Sequence, residues 1–221
     1  MRLRGTSTDP PGTPAVFRLP RCVAVALLAL LGSGCAASVA VEQAFPPPLI
    51  EPLPLRMAVY YPESLAGFTY HEKSGADRDW TVQLGPANVS MFDSVFSRLF
   101  RESQRVGDMQ NAAQEMSAPD GIVSPAVDAF EFSLPGQAAD DQMGVWIRYN
   151  VDVYAADGQL IVRWPVTAYG QSGTDGASDE ESMKRALVLA MRDAAATIAV
   201  GFATQPKIRE RLLHEPPTGT P

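Results

Sequence analysis

The chain has 221 residues, enough for one ordinary domain with a real core and a tight fit for two. Its composition, 46% hydrophobic, 19% charged and 8% aromatic, is that of a globular protein and excludes both a disordered chain and a bundle of membrane spans. The formal net charge is -7, and because residues 1–34 carry four Arg and one Asp, the remainder carries -10. Such an excess repels nucleic-acid phosphates and anionic head groups, so nucleic acid is not an expected partner, and any membrane attachment should come from a lipid or a protein.

The N-terminus carries an address. Arg18 and Arg21 precede an uncharged apolar run, Cys22–Gly32, in the order of a secretory signal. The run is too short to cross a bilayer as a helix. It leads into Gly32-Ser33-Gly34-Cys35. The only cysteines, Cys22 and Cys35, lie in or just behind this run, so no disulfide is expected within the folded body.

From Ala36 to Pro54 the chain contains Pro46, Pro47, Pro48, Pro52 and Pro54 and reads as an extended tether. The folded body is expected over 55–213, with 214–221 as a disordered tail. It opens with a half-buried strand, Leu55 to Tyr61, and strands over 68–73 and 80–84 follow. After Gly85-Pro86 the period changes: Val89, Phe92, Val95, Phe96, Leu99 and Phe100 predict an amphipathic helix over 87–103.

Beyond a polar stretch, Val127–Leu134 reads as a strand with Phe130, Phe132 and Leu134 on one face. Two alternating runs, 145–153 and 160–166, flank Asp157-Gly158, a strong hairpin signal. Ser178-Asp-Glu-Glu181 has the form of a capping box before a long helix with an Ala-rich stripe, and a short helix is expected over 206–213. The predicted fold class is therefore α+β, a mainly antiparallel sheet with two amphipathic helices packed on one face.

The search for catalytic patterns finds little. Gly170-Gln-Ser172-Gly173 lacks the spacing of a nucleophile elbow, and no P-loop, zinc-protease, dinucleotide or EF-hand pattern occurs. With two histidines, His71 and His214, and scattered carboxylates, neither a metal nor any other cofactor is expected. His71 has no constellation around it and reads as a surface residue. The Phe92, Phe96 and Phe100 stripe reads as core. No catalytic residue is expected.

The segment ending in Cys35 resembles the lipobox of bacterial lipoproteins, with Leu31 one place further from the cysteine than the usual leucine. That resemblance implies a signal peptide over 1–34, cleavage before Cys35, and acylation that leaves a triacylated N-terminal residue able to anchor stably. Ala36, rather than Asp, after the cysteine implies sorting to the outer membrane, facing the periplasm. With the Pro-rich segment, the strand ending in Tyr60-Tyr61-Pro62, the hairpin into Tyr169-Gly170 and the Ala-rich closing helix, the chain resembles small Gram-negative outer-membrane lipoproteins. The YajG-like lipoproteins and the auxiliary lipoproteins of ABC-type transport systems are the types in view. The resemblance implies a non-catalytic accessory or assembly factor of an envelope transport complex. An apolar-ligand carrier and a hydrolase near His71 are the alternatives. A partner surface is expected where loops 135–143 and 170–177 converge opposite Asp157-Gly158, through Asp140, Asp141 and Asp175.

Overall fold

The computed structural model describes residues 35–41, 45–74, 78–136 and 142–214. Ala36–Pro221 forms one compact unit. Its strands are β1 (Cys35–Ala40), β2 (Leu53–Tyr60), β3 (Thr69–Ser74), β4 (Arg78–Gln83), β5 (Phe100–Val106), β6 (Gly121–Ser133), β7 (Met143–Ala155) and β8 (Leu160–Ser172). The helices are α1 (Glu63–Ala66), α2 (Gly85–Leu99), α3 (Ala112–Glu115), α4 (Asp179–Gly201) and α5 (Pro206–Arg211).

The strands form two sheets, β5-β2-β6-β7-β8 and β1-β4-β3. The fold is α+β as expected, and the larger sheet is mixed rather than purely antiparallel. β2 pairs parallel with both β5 and β6, whereas β6, β7 and β8 form an antiparallel meander. Alternation of apolar residues reports which side of a strand is buried but carries no direction, so the parallel pairs left no trace in the pattern.

Three further differences concern α2, β6 and the expected tether. Helix α2 ends at Leu99, because Phe100 is already extended at φ -108 and ψ 148, and the chain enters β5 without a loop. Phe100 sits at helical spacing from Phe96 and is equally buried, so the spacing ran past the true end. β5 itself is polar because it is an edge strand whose side chains pair across its neighbours. Arg56 Nε donates to Glu102 at 2.8 Å, Arg105 binds Asp93 of α2, and Gln104 donates to the Glu115 carbonyl at 2.8 Å.

β6 begins at Gly121, six residues before the expected start. Its register with β7 shifts between Val127 and Ala129, so Asp128 is an extra residue in a β-bulge. Before the bulge the odd-numbered residues of β6 share a face with Tyr149. After it, Phe130 and Phe132 do so, opposite Ile147 and Val145. A pattern that changes parity midway reads as two segments.

The third difference concerns the tether. Residues 35–40 form a strand of the smaller sheet, and Ala37, Val39, Val41 and Phe45 are buried in the main core. The Ser94 hydroxyl of α2 donates to the Phe45 carbonyl at 2.9 Å. Pro46, Pro47, Pro48 and Pro52 therefore lie between β1 and β2, and Pro54 lies in β2 itself. Short apolar residues alternating over Ala37, Val39 and Val41 are the strand signal, which the neighbouring prolines masked.

One face of the larger sheet carries most of the core. Tyr149 of β7 meets Phe92 of α2 edge-on at 5.4 Å and donates its hydroxyl to Asn88 Oδ1 at 2.8 Å. On β8, Gly170 lies against α4 so closely that an added Cβ would stand 2.0 Å from the Ala186 carbonyl oxygen. The smaller sheet reaches the same face through Tyr70 on Phe130 at 4.8 Å and Trp80 on Phe132 at 5.6 Å. A second, smaller core of Ala58, Val106, Ala112, Met116 and Ile122 covers part of the opposite face beneath α3.

Edge strand β8 is blunted in two ways. Pro165 has no N–H to offer, and the Tyr169 N–H is taken by Asp193 of α4 at 3.0 Å. The hairpin turn is as expected: Gly158 takes φ 85 and its N–H donates to the Ala155 carbonyl at 2.9 Å. Ser178 caps α4, accepting the Glu181 N–H at 3.2 Å.

Candidate functional site

The candidate lipidation residue Cys35 is the first residue of β1. Ala36 is exposed and Ala37 is 3% exposed, so one residue separates Cys35 from the buried body. A lipid on that cysteine would hold the domain at the bilayer surface with no spacer.

Asp140 and Asp141 lie outside the described residues. Asp175 is exposed in a tight turn, at φ 37 beside Gly176 at φ 78. The expected convergence is visible in the register, since Met143 at the start of β7 pairs with Ser172 at the end of β8. β8 runs on through Ser172, so residues 170–172 belong to the strand and not to the loop. Gly170 is committed to the helix contact described above.

His71 pairs with Thr81 on the outer face of β3 and β4, its Nδ1 3.1 Å from the Thr81 hydroxyl. The neighbouring Tyr70 donates to Glu72 at 2.7 Å, and that bond, with partial burial, pushes its hydroxyl up to about 12. No group of three or more His, Cys, Asp or Glu able to hold a metal occurs among the described residues. Phe92, Phe96 and Phe100 are each at most 1% exposed and their rings stack in series at 5.4 and 5.6 Å. They fill the space between helix and sheet as core side chains do.

Two surface grooves escaped the sequence reading. The first lies on the uncovered face of the meander, about 250 Å³ in volume, lined by Ala129, Glu131, Trp146, Arg148 and Thr167. The bulge at Asp128 creates it by turning Ala129 and Glu131 outward, and Asp128 pairs with Arg148 beside it. Trp146 and Tyr169 face each other at 4.8 Å and are 39% and 40% exposed, although they stand on paired strands. The Trp146 ring lies over Gly144, where a Cβ would come within 3.0 Å of it. The alternating run over 145–153 leaves Trp146 off its apolar face, but alternation does not show what covers a residue, and Tyr169 lies beyond the run over 160–166.

The second groove, about 350 Å³, lies on the outer side of α4 and is lined by Ser172, Glu181, Lys184, Arg185, Leu189 and Arg192. From Asp179 to Thr204 the chain is long and apolar enough to cross a membrane by length and composition, and half of its most apolar window is buried. Contact with β8, β7 and α2 accounts for the buried half.

No protein-family model matches the chain, and no curated protein matches it. Solved structures do resemble it. A Xanthomonas campestris protein assigned to the family model DUF330 gives a TM-score of 0.45 at 16% identity, covering 75% of this chain and 91% of that one. A hypothetical protein from Chlamydia trachomatis gives 0.37 at 11% identity, covering 69% and 100%. The minor lipoprotein from Acinetobacter baumannii gives 0.35 at 11% identity, covering 77% and 99%. At these identities and scores the likeness assigns the chain to no family and no activity.

Proposed function

We propose that this chain is a non-catalytic lipoprotein of the outer membrane, anchored through acylated Cys35 and facing the periplasm, where it serves as an accessory or assembly factor of an envelope transport complex. The observation that carries the reading is the apolar run ending in Gly34-Cys35, behind two arginines and ahead of a body of net charge -10. The immediate passage from Cys35 into β1 supports it, since a membrane-bound accessory domain held without a spacer presents a fixed surface to its neighbours. The partner surface is the end of the meander where Met143 pairs with Ser172. There the exposed Asp175 turn follows β8, which carries Tyr169 of the exposed Trp146–Tyr169 pair, and Asp140 and Asp141 precede Met143 in sequence. Exposed aromatics on a rigid strand pair are the residue types that anchor protein interfaces.

Crosslinking in intact envelopes from position 167, where Thr167 is exposed in the same groove, followed by identification of the captured protein, tests the accessory role. Capture of a transport-system component is expected, reduced when Trp146 and Tyr169 are both replaced by Ala or when Asp140, Asp141 and Asp175 are all replaced by Ser. Equal capture by all three proteins, or capture of no envelope component, would remove the assignment.

A further inference from the structure

The body's net charge of -10 conceals a local reversal. Lys184, Arg185 and Arg192 stand on the outward side of α4 around one groove, with Glu181 its single lining carboxylate. Elsewhere Arg56, Arg105, Arg148 and Arg163 are each engaged by a carboxylate. These three are not: among the described residues none has an ion pair, and the Arg185 Nε–H is buried without an acceptor. Asp193 cannot serve Arg192, because its carboxylate is turned to the Tyr169 N–H of β8. Beside the cations, Leu189 is 44% exposed, and further along the helix Val200 is 71% exposed.

We infer that this side of α4 is a membrane-docking surface that rests on anionic phospholipid, the phosphates meeting Lys184, Arg185 and Arg192 and Leu189 entering the head-group layer. One observation selects a bilayer over a free anion: the cations stand around the exposed Leu189, which a dissolved phosphate does not need and an interfacial helix does.

The test uses residues 36–221, which form the compact unit and contain the whole core but lack Cys35. Binding is measured to phosphatidylglycerol-containing vesicles and to phosphatidylcholine vesicles. A cation close to an anionic surface is worth about fivefold in partition, so three give on the order of a hundredfold. Binding to the anionic vesicles alone is expected, weakening as salt is raised. Joint replacement by Lys184→Gln, Arg185→Gln and Arg192→Gln should cost at least about tenfold with unchanged melting. If the triple variant melts earlier, the single variant Arg192→Gln, at an exposed position, should still lose about fivefold.

Equal binding of wild type and variants, equal binding to both vesicles, or none to either would overturn the proposal. So would saturable binding of inorganic phosphate without vesicle binding. Because Cys35 is absent from the tested chain, these outcomes are independent of whether that residue is acylated.

Discussion

Gly170 of β8 and Ala186 of α4 meet backbone to backbone, with room for no side chain between them. A Cβ on Gly170 would lie 2.0 Å from the Ala186 carbonyl oxygen and 2.4 Å from the Ala190 nitrogen. Neither is the flexible end of a side chain, so relief requires moving the helix. Gly170→Ala is expected to destabilise the domain by about 3 kcal/mol, read as a lower denaturant midpoint, the upper part of the range for overpacking.

Tyr149 and Asn88 form a second internal link between sheet and helix. Both are completely buried, and burial raises the tyrosine hydroxyl well above its ordinary range, so it stays a donor throughout the physiological pH range. Tyr149→Phe removes the donor and leaves Asn88 Oδ1 without it. A loss of about 1–3 kcal/mol is expected on chemical denaturation.

Much of this arrangement was legible in the sequence. The Asp157-Gly158 hairpin, the Ser178 cap and the core stripes of α2 and α4 all follow local rules, because each depends on residues a few positions apart. The parallel neighbours of β2 did not, since partner choice among strands is settled by long-range crossover of the chain. Asp128 hid half of β6 by reversing the parity of the pattern. At the candidate site, Cys35 was visible as a motif. The Trp146–Tyr169 pair and the α4 cations were visible only as residues, because exposure and the absence of a salt bridge are properties of the folded chain.

Treating residues 36–54 as a dispensable tether makes a different prediction from placing β1 in the core. Phe45→Ala should cost about 3–5 kcal/mol as a buried aromatic truncation, and a chain beginning at residue 55 should lose cooperative melting. Melting of that truncated chain at the temperature of the 36–221 chain would contradict the structure.

Tyr70 sets a pH dependence at the alkaline end. Its folded value of about 12 exceeds the ordinary value of 10.0, with the Glu72 hydrogen bond as the largest cause. A raised folded pKa means that its stabilisation is fully present below the unfolded value, and it is lost as pH rises through the folded one. Absorbance titration should show one tyrosine ionising near 12 that moves toward 10 in Glu72→Gln.

The central claim concerns Cys35, and it is tested most directly by the mass of the N-terminal peptide of the protein recovered from outer membranes. The expected species begins at Cys35 and carries a thioether-linked diacylglycerol with a third acyl chain on its amino group, and Cys35→Ser should abolish it and the membrane association together. A mature protein with an unmodified Cys35 thiol, or a Cys35→Ser variant that fractionates with the outer membrane as before, would contradict the account.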